Sequence, residues 1–356
     1  MDRKRQEIIL HIGHGKTGSS YLQSCLALSA ERLREAGIEY PELRPFARAK
    51  QGGISSGNLG PGKAFVQTVT EVADRHTKAS RLLFSSEWMF DRIANDCESL
   101  ATLQQSFDVT VLLFIREFLA HALSSYGQAV KRGGCTNSLG AFLAADRHPH
   151  LVLQVLQAAE RAGCRVAAFN YSRHSDRLLD VFAEACRIAP ETLVLPPIAR
   201  VNRSLDEAEL ALIRRFNTVL GMNTGTRMAN ALCERLPLHP SGPRRISRQD
   251  YERYRARIAP VETEINRLLP PSERYGAEEP ILVEHGDGAP SPVMGFTEAQ
   301  MEVLAQSLGP ELIRLRTSKT DEFRSQGWTT RTIRSLAYKL SHSFSRCLIR
   351  CLAHLG

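Results

Sequence analysis

The first half of the chain alternates short apolar runs with amphipathic stretches. Ile8–Ile12 is an apolar run of about five residues that ends in the turn-forming segment HGKTGSS, the pattern of a fully buried strand entering a loop. From about Ser19 to Ala36, Leu22, Leu26 and Leu33 mark one face and Gly37 supplies a stop, which predicts a helix. Arg81–Ser85, Val109–Ile115 and Arg165–Phe169 are further buried-strand candidates, each separated from the next by a helical stretch. Continuous apolar strands that alternate with helices predict an α/β fold of three layers, with a mainly parallel sheet covered on both faces.

The second half is less regular. From Ser204 the chain reads as helical, with Leu205, Leu210, Ile213 and Phe216 on one face. Leu236–Pro292 holds many prolines and yields no clear element, whereas Thr297–Leu315 predicts a helix with Thr297 at its N-cap. Thr332–Leu355 is strongly amphipathic, with Ile333, Leu336, Leu340, Phe344, Leu348 and Leu352 on one stripe. The Gly-, Ser- and Pro-rich stretch Arg44–Lys63 predicts a mobile loop. The expected organisation is one large domain over residues 1–290 and a helical C-terminal extension over 291–356.

Charge narrows the range of partners. The chain of 356 residues carries +8, of which the stretch after Glu322 holds +6, leaving +2 for everything before it. A nucleic-acid binder spreads basic charge over a folded face, so nucleic acid is not an expected partner. The basic tail stripe, 332–355, suits contact with an anionic membrane surface or a membrane-bound partner, or else packing on the core or on a second subunit. The eight cysteines are scattered without metal-type spacing, which suits reduced thiols and no metal. No leader-type or membrane-spanning run is evident, so the expected location is cytoplasmic, or peripheral to a membrane.

The chemistry concentrates in HIGHGKTGSSYLQ, residues 11–23. A strand, a Gly-containing turn with a lysine, and then a helix start make a phosphate cradle, because helix N-terminal N–H groups and the helix dipole favour an anion. Gly15, Lys16 and Thr17 match the second half of the nucleoside-triphosphatase loop, but Leu10 stands where its first glycine belongs. Arg116 ends the Val109–Ile115 strand where that family would carry a magnesium-binding aspartate. The plain alternative is a Gly/Ser-rich turn with a solvated lysine.

The run Lys16, Thr17, Gly18, Ser19, Ser20 resembles the 5′-phosphosulfate-binding loop of sulfotransferases, and its longer context is similar to the bacterial branch of that family. The resemblance covers roughly residues 6–285. It implies a sulfotransferase-type relative of the P-loop nucleotide-binding fold. It also implies 3′-phosphoadenosine 5′-phosphosulfate (PAPS) as co-substrate, with no metal, and a sulfuryl acceptor hydroxyl on a glycan, glycolipid or small metabolite. Gly15 through Ser20 would hold the phosphosulfate, with Lys16 also supporting charge on the leaving phosphate. Arg116 and Ser124, eight residues apart, match the family's 3′-phosphate pair. A guanidinium fork with a nearby hydroxyl suits phosphate on chemical grounds as well.

For the base that takes the acceptor proton, the resemblance implies Glu87, just past RLLFSS. Burial beside Trp88 and Phe90 would raise its pKa toward working pH. His14, within the loop, is the competitor, and a helix-start glutamate capped by Ser85 or Ser86 is the plain alternative. Gln128 and Lys131 share a polar stripe with Ser124, facing either the acceptor or solvent. Arg203 lies in RVNRSL, where it would approach the donor phosphates, while Asn202 or Ser204 would cap the next helix. Two other readings remain at this level: a magnesium-dependent kinase on a related fold, and a non-catalytic nucleotide- or partner-binding member.

Overall fold

The computed structural model describes residues 5–13, 15–43, 57–60, 65–96, 98–196, 203–240, 245–276 and 295–310. Five strands form one all-parallel sheet in the order β2-β3-β1-β4-β5. They are β1 (Glu7–Ile12), β2 (Ile38–Glu39), β3 (Arg81–Ser86), β4 (Asp108–Ile115) and β5 (Arg165–Asn170). Four of them coincide with the apolar runs. The two-residue β2 is too short to show a pattern.

Side chains alternate between sheet faces, and here both faces are buried. Ile9, Leu83, Leu112 and Phe114 pack with Leu22 and Leu26 of α1 (Ser19–Leu28), with Leu33 of α2 (Ala30–Glu35), and with Phe182. Ile8, Leu10 and Ile12 point the other way and are equally inaccessible. The chain continues through α3 (Phe65–Arg75), α4 (Trp88–Asn95), α5 (Glu98–Ser106), α6 (Phe118–Gly133), α7 (Leu139–Ala144) and α8 (His148–Arg161). After β5 come the single turn α9 (Tyr171–His174) and then α10 (Leu178–Ala185), which carries Phe182. Helix α4 packs on α8, and α5 packs on β4. Helices over both faces explain the near-continuous apolar strands.

The helix expected over Ser19–Ala36 breaks at Ser29. The Ser29 hydroxyl donates back to the Cys25 carbonyl at 2.5 Å and accepts from the Val194 N–H at 2.7 Å. Such back-bonding competes with the helical ladder, and the distant Val194 is invisible to local periodicity.

The chain divides into two compact units, one of Met1–Ser125, Leu143–Arg200 and Glu252–Glu278, the other of Tyr126–Phe142, Val201–Tyr251 and Glu279–Gly356. The sheet belongs to the first. In the second, α11 (Glu207–Leu220) and α12 (Met222–Arg235) bury Ile213, Phe216, Met228 and Leu232 together with Val303 and Leu304 from a helix over residues 298–310. Helix α11 starts at Glu207, not Ser204. Asp206 is its N-cap, forming a capping box with Glu209, so Ser204 is not the cap. Within the proline-rich stretch that gave no element, α13 (Arg248–Leu268) runs through Pro260 without ending.

His14, Asn202, residues 44–56 and 61–64, and the amphipathic stretch 332–355 lie outside the described residues. The described part of the expected mobile loop is pinned down. Asn58 is fully buried, donating to the Pro41 and Leu83 carbonyls and accepting from the Ser85 N–H. Gly57 bridges to Ser86 with φ 101°, and a Cβ there would fall 1.8 Å from the Ser85 carbonyl oxygen, so only glycine fits. Among the described residues no helix is long and apolar enough to cross a membrane. Burial pushes the Cys25 thiol up to about 11 and the Cys186 thiol to about 12, which keeps both protonated and unreactive at neutral pH.

Candidate functional site

The connection after β1 leads to α1 on one face of the sheet, and the connection after the adjacent β3 leads to α4 on the other. Neighbouring strands whose connections part in this way open a crevice at their C-terminal ends. Gly13 and the turn of residues 15–18 lie there. The backbone of the turn is left-handed at Lys16 (φ 74°) and at Gly18 (φ 73°). Gly18 disfavours a side chain, because at φ 73° a Cβ is strained and would approach the Leu178 Cδ2 to 2.6 Å, with the Tyr171 ring next to it. As N-cap of α1, Gly18 offers no capping side chain, and the helix start is left to interact with an anion. Thr17 and Ser19 are buried, Lys16 and Ser20 partly exposed, and Gly15 has open space around its Cα.

Glu87 faces this loop. Its Oε1 accepts a 2.6 Å hydrogen bond from the Ser19 hydroxyl, while Oε2 has no partner among the described residues. Glu87 occupies the N-cap position of α4 without capping it. Ser86 does that work, accepting from the Trp88 N–H at 3.2 Å and donating to the Leu59 carbonyl at 2.7 Å. Trp88 is 49% exposed, so it does not supply the burial expected beside Glu87, whereas Phe90 is buried. The end of β3 is tied to β1 by the contact of the His11 Nδ1 with the Ser85 hydroxyl at 2.8 Å. His11 itself is wedged edge-on against Phe114 and Phe182.

Arg116, just past β4, donates from Nη1 to the Lys16 carbonyl at 3.4 Å, reaching across to the loop. The next residue, Glu117, caps α6 by accepting from the Leu119 N–H (2.9 Å) and the Ala120 N–H (2.6 Å). Burial raises its pKa above the ordinary carboxylate value, although those two N–H bonds oppose the shift. The Tyr275 hydroxyl donates to the Ile115 carbonyl at 2.7 Å and anchors the strand end from a segment that the sequence left unassigned. Ser124 lies further along α6, partly exposed, its hydroxyl unbonded among the described residues and sharing no hydrogen bond with Arg116. The fold thus brings the loop, Ser19, Glu87 and Arg116 together and leaves Ser124 on the adjoining helix.

Other expected residues have structural roles. Lys131 is buried and donates to the Arg203 carbonyl at 3.4 Å, so it does not line a solvent-facing stripe; Gln128 is partly buried. Arg203 does not reach for phosphate. Its guanidinium grips Glu209 through two 2.7 Å bonds and also donates to the Ser204, Leu232 and Leu236 carbonyls, which occupies all five donors. Although burial works against its charge, the Glu209 carboxylate holds the Arg203 pKa above its ordinary value. Asp206, Glu209 and His239 also come close enough to hold a metal ion. The Gln300 Nε2 fills that space, at 2.7 Å from Asp206 and 2.9 Å from Glu209.

Sequence reasoning missed Tyr171 and Leu178, which follow β5 and close over Gly18, and Asn58, which holds β3. It also gave no role to Gln23, one turn into α1. Gln23 is fully buried, with neither amide atom bonded to protein among the described residues. No family model, curated protein or solved structure matches the chain.

Proposed function

We propose that this protein is a sulfotransferase, moving a sulfuryl group from PAPS to an acceptor hydroxyl on a relative of the P-loop nucleotide-binding fold. The observation that carries this reading is the meeting of the Lys16–Ser20 loop, Glu87 and Arg116 at the C-terminal ends of β1, β3 and β4. Phosphosulfate supplies an electrophilic sulfur with a phosphate leaving group. The uncapped start of α1 and the Lys16 side chain suit binding of that phosphate and support of the charge that gathers on it. Glu87, its Oε1 held by Ser19, has Oε2 available to take the acceptor proton. Arg116, with Ser124 on the helix that follows, suits the 3′-phosphate.

The test is calorimetric titration with adenosine 3′,5′-bisphosphate, without magnesium, beside 5′-AMP and ATP. The expected result is preference for the bisphosphate, lost in Arg116→Ala. With PAPS and an identified acceptor, Glu87→Gln is expected to lower turnover by about 10²–10⁴-fold, the usual worth of a positioned base. Binding of ATP only with magnesium, and indifference to the 3′-phosphate, would replace this reading with that of a kinase.

A further inference from the structure

A cleft of about 310 Å³ opens beside α4, near the lower end of the roughly 300–1,000 Å³ typical of small-molecule sites. Its apolar wall is formed by Leu59, Phe65 and Met89. Gly60 and Arg92 line it too, and the remaining face comes from Trp88, Asp91 and Asn95. These three fall at i, i+3 and i+7 of α4, on one side of the helix, and all are exposed. The Trp88 indole is left 49% exposed beside a carboxylate and an amide.

We propose that this cleft binds a neutral, polyhydroxylated ring: a sugar, seated on Trp88 and hydrogen-bonded by Asp91 and Asn95. The chemistry excludes the obvious rivals. Arg92 pairs with Asp96 at 3.4 Å, and the Asp91 carboxylate has no ion-pair partner among the described residues. An acyl chain in the cleft would strip water from that carboxylate and return no hydrogen bond. A phosphate, sulfate or uronate would meet the Asp91 carboxylate as a like charge, while Arg92, which lines the same cleft, is already paired with Asp96. A pyranose offers apolar C–H groups to the indole face and hydroxyl donors to the carboxylate. Asn95 donates to the Asp91 carbonyl at 2.6 Å and retains its Oδ1 and a second N–H for hydroxyls.

Trp88 follows Glu87 directly in the chain, so the cleft's indole and the proposed base are carried by consecutive residues. The inference that the bound sugar is the sulfuryl acceptor rests on the proposed function; sugar binding by the cleft does not.

The chain has two tryptophans, Trp88 and Trp328, so Trp328→Phe leaves Trp88 as the single indole reporter. The full-length variant is titrated with methyl glycosides of glucose, galactose, mannose and N-acetylglucosamine, and separately with 2-naphthol and octanol. The expected result is a saturable change in Trp88 emission with at least one glycoside. Asp91→Ala and Asn95→Ala should each weaken it, with a loss of about ten-fold for the hydrogen bond to the charged Asp91. Both side chains are exposed, so melting temperatures should stay unchanged. No saturable response to any glycoside, or a response to naphthol or octanol alone, would overturn the proposal. Titration of the parent chain with adenosine 3′,5′-bisphosphate separates the two readings. Glycoside binding without nucleotide binding in the parent chain removes the proposed transfer reaction and leaves the sugar site standing. Nucleotide binding without glycoside binding does the reverse.

Discussion

Arg203 and Arg116 both donate to main-chain carbonyls, yet their surroundings differ. In the second unit every donor of Arg203 is engaged, and each oxygen of Asp206 and Glu209 accepts at least one bond, from Arg203, His239, Gln300 or a backbone N–H. In the first unit, among the described residues, Arg116 makes one long bond, Glu87 keeps an oxygen unbonded, and α1 begins without a capping side chain. A saturated polar network specifies a fold, whereas groups that converge with capacity left over are suited to a ligand. The difference separates a structural charge cluster from a candidate site better than residue type does, since both regions offer an arginine, a carboxylate and hydrogen-bonding neighbours.

The largest expected effect tests the saturated side of that comparison. Arg203→Ala leaves Glu209 buried and unpaired, which is expected to cost about 3–5 kcal/mol of stability in denaturant titration. Because the two side chains act as a unit, Arg203→Ala combined with Glu209→Ala should cost much less than the sum of the single changes. Arg116→Ala, by contrast, should stay within about 0.5 kcal/mol of the parent while losing nucleotide binding. An Arg116 variant that unfolds as readily as the Arg203 variant would erase the distinction.

The two regions were also unequally legible. The apolar runs of β1, β3, β4 and β5 stood out because a strand buried on both faces needs no polar alternation. The Lys16–Ser20 loop stood out because its lysine, glycine and hydroxyl residues are consecutive. The role of Arg203 was missed although its signal is local: Asp206 followed three residues later by Glu209 is a capping-box pattern, and recognising it would have placed the helix start and supplied Arg203 with a partner. Asn58, Leu178 and Tyr275 were out of reach, because each acts on a residue far away in the chain through contacts that only the tertiary fold creates. The same holds for the Ser29 break, which depends on Val194.

A middle-sized effect tests whether the loop is held in its binding shape. Gly18→Ala puts a methyl group at φ 73° and within 2.6 Å of the Leu178 Cδ2. Strain and overpacking together are expected to cost about 1–3 kcal/mol in thermal or denaturant unfolding. Adding Leu178→Ala should recover the overpacking share and leave the φ share. If the loop geometry is what suits a phosphate, affinity for adenosine 3′,5′-bisphosphate should fall in Gly18→Ala and return only in part in the double variant. Full recovery would show that the left-handed turn is dispensable.

The smallest effect concerns Glu117, which sits beside Arg116 yet has both carboxylate oxygens engaged as a helix cap. Burial raises its folded-state pKa above the ordinary 4.5, so the folded protein holds this proton more tightly than the unfolded chain does. The contribution of the residue to stability is therefore complete below pH 4.5 and declines as pH rises through the raised value. Glu117→Gln keeps an accepting oxygen at the cap and removes the titration. Urea midpoints of parent and variant, measured side by side across the acid to neutral range, should differ most in favour of the parent at low pH. The difference should then shift toward glutamine and level off once the carboxylate is ionised. A pH-independent difference would mean that the cap bonds from Leu119 and Ala120 offset the burial, and Glu117 would then resemble the matched carboxylates of the second unit.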